Sequence, residues 1–158
     1  MSITLDGTNG ITSPDVVTND GQVYAKENIL GTVSESGGVP TGAIIERGSN
    51  ANGEFVKYAD GTMICFRRQV SLPFVNAVRL TLNINYPATF ITNPTGTISL
   101  SSSSSVETIG FDTKAGGALV HINDSGSIAN LRLYRQPGGS FSSGDTILVD
   151  YTAVGRWF

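Results

Sequence analysis

The chain has 158 residues, of which 39% are hydrophobic and 15% charged, with a formal net charge of −3. That is room for one domain plus a terminal extension, without an apolar run long enough to cross a membrane as a helix or a basic stripe to neutralise nucleic-acid phosphates. A single cysteine, Cys65, excludes an intramolecular disulfide and a cysteine-based zinc site within one protomer.

Residues 1–40 show little apolar periodicity, and Gly37-Gly38 with Pro40 marks a linker. Up to Glu46 there are six acids against Lys26 alone, whereas the remainder carries nine bases and seven acids. The extension is therefore acidic and the rest close to neutral. Val16-Val17 and Gln22 to Ala25 are candidate short strands, but the segment is too polar to bury a core and is expected to be extended or wrapped around symmetry mates. With no N-terminal apolar stretch of signal-peptide type, synthesis in a cytoplasm is expected.

From Thr41 onward, strand signals arrive at sandwich-like intervals, predicting a head over 41–158. Phe55 to Tyr58 and Met63 to Phe66 flank the turn dipeptide Asp60-Gly61, which predicts a β-hairpin. Cys65 falls within it as a buried thiol. In Val78 to Tyr86, Val78, Leu80, Leu82, Ile84 and Tyr86 alternate with Arg79, Thr81, Asn83 and Asn85, the period of a strand with one wet face. Phe90, Ile98 and Leu100 continue the apolar series around a turn at Asn93-Pro94-Thr95-Gly96. Ser101 to Ser105 is a strand edge or a loop.

Ala118 to Asn123 alternates again, with Val120 and Ile122 expected inward and His121 outward, before a reversal at Asn123-Asp124-Ser125-Gly126. Leu131 and Leu133 are expected inside, with Arg132 and Tyr134 on the other face. Phe141 to Asp145 is a loop, and Ile147 to Val154 is a final strand whose Val149, Tyr151 and Ala153 share a face. No segment holds apolar residues at helical spacing over three turns, so the fold class is all-β, a small antiparallel β-sandwich.

Catalytic chemistry finds little support. His121 is the only histidine, and neither a G-x-S-x-G elbow nor a helix for one to open accompanies it. A histidine metal site would need His121 from three chains on an axis, so no metal or cofactor is expected. Asp112, Asp124, Asp145 and Asp150 read as loop and turn carboxylates rather than a glycoside-cleaving pair. Gly116-Gly117 and Gly138-Gly139 lack the P-loop pattern, and Arg67-Arg68 is a strand end or an inter-chain ion pair. Binding chemistry fits better. Sugar sites on sandwiches combine a ring with amide, carboxylate or guanidinium groups, and the outward faces and loops offer His121, Asn123, Asp124, Arg132, Tyr134 and Gln136.

The run NANGEFVKYADGTMIC over residues 50–65 resembles a segment recurring in tail-fibre and receptor-binding proteins of tailed bacteriophages, where it precedes a small β-sandwich of the H-type lectin kind. YPATFITNP (86–94) and VDYTAVGRW (149–157) are similar to strands of the same sandwich, and ITLDGTNGITSPD (3–15) is similar to the opening of short phage fibre proteins. Ser101 to Ser105 and Lys114 to Gly117 depart from the lectin pattern. The resemblance implies a homotrimeric, non-enzymatic receptor-binding tip in the virion, with residues 1–40 as attachment or trimerisation segment to other tail or fibre proteins. Its partner would be a host surface polysaccharide or lipopolysaccharide, without nucleic-acid binding or membrane insertion. H-type lectins bind sugars in clefts between protomers, which implies a glycan site near His121, Asn123, Arg132 and Tyr134. Tyr134 serves there as a sugar platform or as inter-protomer packing, and Trp157 is assigned a structural role at the trimer interface. The alternative is a structural fibre or decoration protein without sugar binding.

Overall fold

The computed structural model describes the backbone of residues 17–18, 21–22, 29–101, 119–123 and 125–158, and the side chains of 29–101 and 125–158. The expected segment 23–25, residues 102–105, Asp112, 114–117 and Asp124 lie outside the described residues.

The described elements are all strands: β1 (Val17–Thr18), β2 (Gly21–Gln22), β3 (Glu35–Ser36), β4 (Val39–Pro40), β5 (Ile45–Asn50), β6 (Gly53–Tyr58), β7 (Thr62–Asn76), β8 (Arg79–Asn85), β9 (Thr95–Leu100), β10 (Leu119–Asn123), β11 (Ile128–Tyr134) and β12 (Thr146–Arg156). Every pairing between them is antiparallel. Strands β1–β2 and β3–β4 form small hairpins, and the others form an eight-stranded sheet. Its main order is β10-β11-β8-β7-β12-β9, with β6 also on β7 and β5 on β6.

The hairpin expected around Asp60-Gly61 is present as β6–β7, in the register Lys57 to Met63. Asp60 Oδ1 accepts the Thr62 N–H at 2.8 Å, and Gly61, at φ 91°, takes the left-handed conformation that the turn requires. The backbone hydrogen bond from Thr62 is the main reason the Asp60 carboxyl lies below its ordinary pKa. Strand β5 was not expected, because IERGSN carries one apolar residue and owes its place to pairing with β6. Before it, the Gly31 N–H donates to Ile45 O, the Ala43 N–H to Thr32 O, and the Val33 N–H to Glu46 Oε2, each at 3.0 Å.

Strand β7 is fifteen residues long and turns the corner of the sheet. It pairs with β12 as far as Pro73 and with β8 from Phe74. Val70 faces Val149 and Arg67 faces Tyr151, so Arg68 and Gln69 share the single opposite residue Asp150. That is a β-bulge, which adds twist and bends the strand. Gln69 sits at φ 57°, and its N–H is held by Asp150 Oδ1 at 2.8 Å.

The core lies between the two halves of the curled sheet. Leu80, Ile84, Ala129, Leu131 and Leu133 from β8 and β11 meet Met63, Cys65, Val70, Leu72, Ile147, Val149, Tyr151 and Ala153 from β7 and β12. Strands β8, β11 and β12 therefore present the inner faces expected of them, although Val78, expected on the same face as Leu80, is exposed. Tyr86 and Phe90 close one end edge-on, with ring centroids 5.1 Å apart. Trp157 packs against this core and donates from Nε1 to Tyr58 O at 2.9 Å, which gives it an anchoring role within its own chain.

Candidate functional site

Three cross-strand pairs of β8 and β11 make the outward face of this half-sheet polar: Arg79 opposite Tyr134, Thr81 opposite Arg132, and Asn83 opposite Asn130. The alternation that sends Leu80, Ile84, Leu131 and Leu133 into the core forces these residues to the other side. Asn130, only 9% exposed, ties the face together. Its Oδ1 accepts from Thr81 Oγ1 at 3.0 Å and from Arg132 Nε, and its Nδ2 donates to Asn83 Oδ1. Thr81 Oγ1 also lies 3.0 Å from Leu131 O, within reach of a second, shared acceptor.

Arg132 Nη1 donates to the Tyr134 hydroxyl at 3.2 Å. That hydrogen bond is the main cause of a Tyr134 pKa below the ordinary phenol value, with a smaller contribution from Arg79. Two guanidinium groups thus flank one phenol oxygen. Arg79 Nε is buried and has no partner among the described residues.

The expected site residues are only partly brought together. Arg132 and Tyr134 stand on the outward face, as their alternation predicts. The register of β10 decides which of its positions pair with that face. His121 lies opposite Leu131 and Asn123 opposite Ala129, whereas Val120 lies opposite Arg132. Directly paired residues share a face, so positions 121 and 123 belong to the face of Leu131 and Ala129, and position 120 to that of Arg132. The side chains of His121 and Asn123 lie outside the described residues. LVHIN contains apolar residues of both parities, and the paired strand rather than the local pattern decides which faces inward. Sequence reasoning placed Arg79 on a wet face but not in the site, since its proximity to Tyr134 depends on pairing between residues far apart in the chain.

Other polar groups are committed to structure. Arg135 Nη1 donates to the carbonyls of Gln136 and Gly139, and Arg156 donates to those of Asp60 and Phe158. Asp145 Oδ2 accepts the Ser142 N–H at 2.8 Å, fastening the loop at Phe141. Cys65 is fully buried, and its desolvation pushes the thiol pKa up to about 11. Among the described residues no group of three or more His, Cys, Asp or Glu side chains is placed to hold a metal ion. A shallow groove of about 460 Å³ lies between Leu30–Thr32 and Ile45–Arg47 of β5, separated from β11 by β6, β7 and β8.

No family model matches this chain, and no curated protein does. Among solved structures it is similar to the tailspike protein gp49 from Pseudomonas phage LKA1, at 22% identity and a TM-score of 0.45. The likeness covers 60% of this chain and 15% of that one, so the chain spans a small part of the tailspike's length.

Proposed function

We propose that this protein is a receptor-binding fibre-tip protein of a bacteriophage or phage-derived particle, attaching to host surface glycans through a homotrimeric, lectin-like head. The observation that carries the reading is the pre-ordered outward ladder of β8 and β11, where a ring, two guanidinium groups, two amides and a hydroxyl stand on paired strands rather than loops. Groups fixed in this way lose little entropy when a sugar binds. The described aspartates Asp60, Asp145 and Asp150 each hold a backbone N–H of a turn or bulge, which suits structural rather than acid–base roles for them. The resemblance of residues 50–65 to phage fibre segments agrees with this reading. Residues 1–40 would serve attachment and trimerisation, and the protein would act in the virion against polysaccharide or lipopolysaccharide. Of the four residues expected in the site, Arg132 and Tyr134 form its centre, and the side chains of His121 and Asn123 lie outside the described residues.

One single site with a few hydrogen bonds and one ring contact binds at about millimolar to tens of micromolar affinity, and three sites per tip raise this through effective concentration. The test is adsorption of labelled protein to bacterial cells, compared with Arg132→Ala and Tyr134→Ala variants of unchanged oligomeric state. Lost adsorption supports the adhesin. Unchanged adsorption by both variants places the receptor site elsewhere.

A second reading, a structural fibre or decoration protein, is favoured by Val56, Ile64 and Val154, which form an apolar row across β6, β7 and β12 on the outer face of the other half-sheet. Such a row suits contact between protomers. Light scattering separates the trimer from a monomer, and a stable monomer at micromolar concentration would remove the trimeric part of both readings.

A further inference from the structure

Arg79 and Arg132 sit on one face of two adjacent strands, with the Tyr134 hydroxyl between them. Arg79 is directly opposite Tyr134, and Arg132 is two residues earlier on β11, so the two arginines are diagonal neighbours at about 7–8 Å. Strands β8, β10 and β11 contain no Asp or Glu. The ion pairs among the described residues are Lys57–Glu46 and Arg68–Asp150, and neither reaches this face. Two like charges held close together on strands without an acidic residue repel each other unless an anion lies between them.

From this geometry, and resting on the glycan-binding reading above, we propose that the β8–β11 face is an anion subsite, selecting glycans that carry a carboxylate or phosphate group. The anion would accept from the Arg79 and Arg132 forks, the planar donor geometry that matches carboxylate and phosphate oxygens. The Tyr134 ring would border the sugar, and Asn83 with Thr81 would meet its hydroxyl groups. Asn130 is a positioning residue, holding Arg132 by its Nε while Nη1 meets the Tyr134 hydroxyl.

The experiment titrates the full chain with methyl glucuronide, glucose 6-phosphate and methyl glucoside, following binding by NMR at low and physiological salt. The proposal expects one or both anionic sugars to bind about 10-fold or more tightly than the neutral glucoside, with an advantage that shrinks as salt rises. Binding of glucuronide alone would identify a carboxylate subsite, and of glucose 6-phosphate alone a phosphate subsite. Arg79→Gln and Arg132→Gln should each remove most of the anion preference, with thermal melts confirming the fold, and wild-type salt dependence decides if a variant fails to fold. Neutral glucoside binding as tightly as its charged counterparts would overturn the anion subsite while leaving glycan binding intact. Absence of binding by all three sugars and by every glycan of a bacterial surface array would overturn the glycan reading itself.

Discussion

Asp150 should control the stability of the corner that gives the head its shape. Its Oδ1 holds the Gln69 N–H at 2.8 Å, and the nearest cation, Arg68 Nε, stands 3.9 Å from Oδ2 with 73% of the arginine side chain exposed. The exposed ion pair contributes about 0–1 kcal/mol after solvent screening, so most of the effect comes from the charge-assisted hydrogen bond, at about 1.5–3 kcal/mol. Asp150→Ala is therefore expected to cost about 2 kcal/mol, or about 4–8 °C in Tm for a chain of this size. Gln69 holds a left-handed φ of 57°, which costs a non-glycine residue about 1–2 kcal/mol. Gln69→Gly removes that strain but adds about 0.5–1 kcal/mol of unfolded-state entropy, so it should leave stability unchanged or raise it by up to about 1.5 kcal/mol. Gln69→Ala keeps the strain and should be less stable than the glycine variant. Urea unfolding with a common slope reads all three. An Asp150→Ala loss below about 0.5 kcal/mol, or an alanine variant more stable than glycine at position 69, would refute the bulge as the device that sets the corner.

Asn130→Ala should cost about 1–2 kcal/mol in urea unfolding, since it removes the shared partner of Thr81, Asn83 and Arg132, of which Thr81 keeps Leu131 O and Asn83 regains water. Gly126→Ala should be worse, about 2–4 kcal/mol, because its Cβ would meet Phe90 O inside contact distance at the point where the Phe90 N–H donates to Gly126 O at 2.8 Å. Because burial raises the Cys65 thiol from its ordinary 9.0 to about 11, Cys65 contributes stability that is fully present below pH 9 and is lost as pH rises from 9 to about 11. Slow labelling by a thiol reagent at pH 8, accelerated by urea, is the check, and fast labelling of the native protein would contradict it. Starting the chain at Thr41 should leave the head folded but less stable, because it cuts the Thr41 N–H to Ser34 O and Val33 N–H to Glu46 hydrogen bonds, and circular dichroism melts measure the loss.

Much of the fold was legible because some strands carry their own answer. RLTLNIN alternates without exception and VDYTA keeps one parity of apolar residues, so the inner faces of β8 and β12 follow from local pattern, while DG fixes the hairpin that opens β7. Where the local pattern is silent, pairing decides. IERGSN is a strand because β6 offers it hydrogen bonds, and the RRQ stretch of β7 conceals a bulge fixed by Asp150, 81 positions away. The site divides in the same manner. Arg132 and Tyr134 follow from the alternation of β11, whereas Arg79 pairs with Tyr134, and positions 121 and 123 pair with Leu131 and Ala129, through registers that no local pattern encodes.

The central claim is that the outward face of β8 and β11 is where glycan binds. Amide and side-chain NMR shifts recorded while surface oligosaccharide is added to the full chain test it most directly. The account predicts shifts concentrated at Arg79, Thr81, Asn83, Asn130, Arg132 and Tyr134. Shifts confined to the opposite half-sheet around Val56, Ile64 and Val154, or to the groove at Leu30 and Arg47, would contradict it.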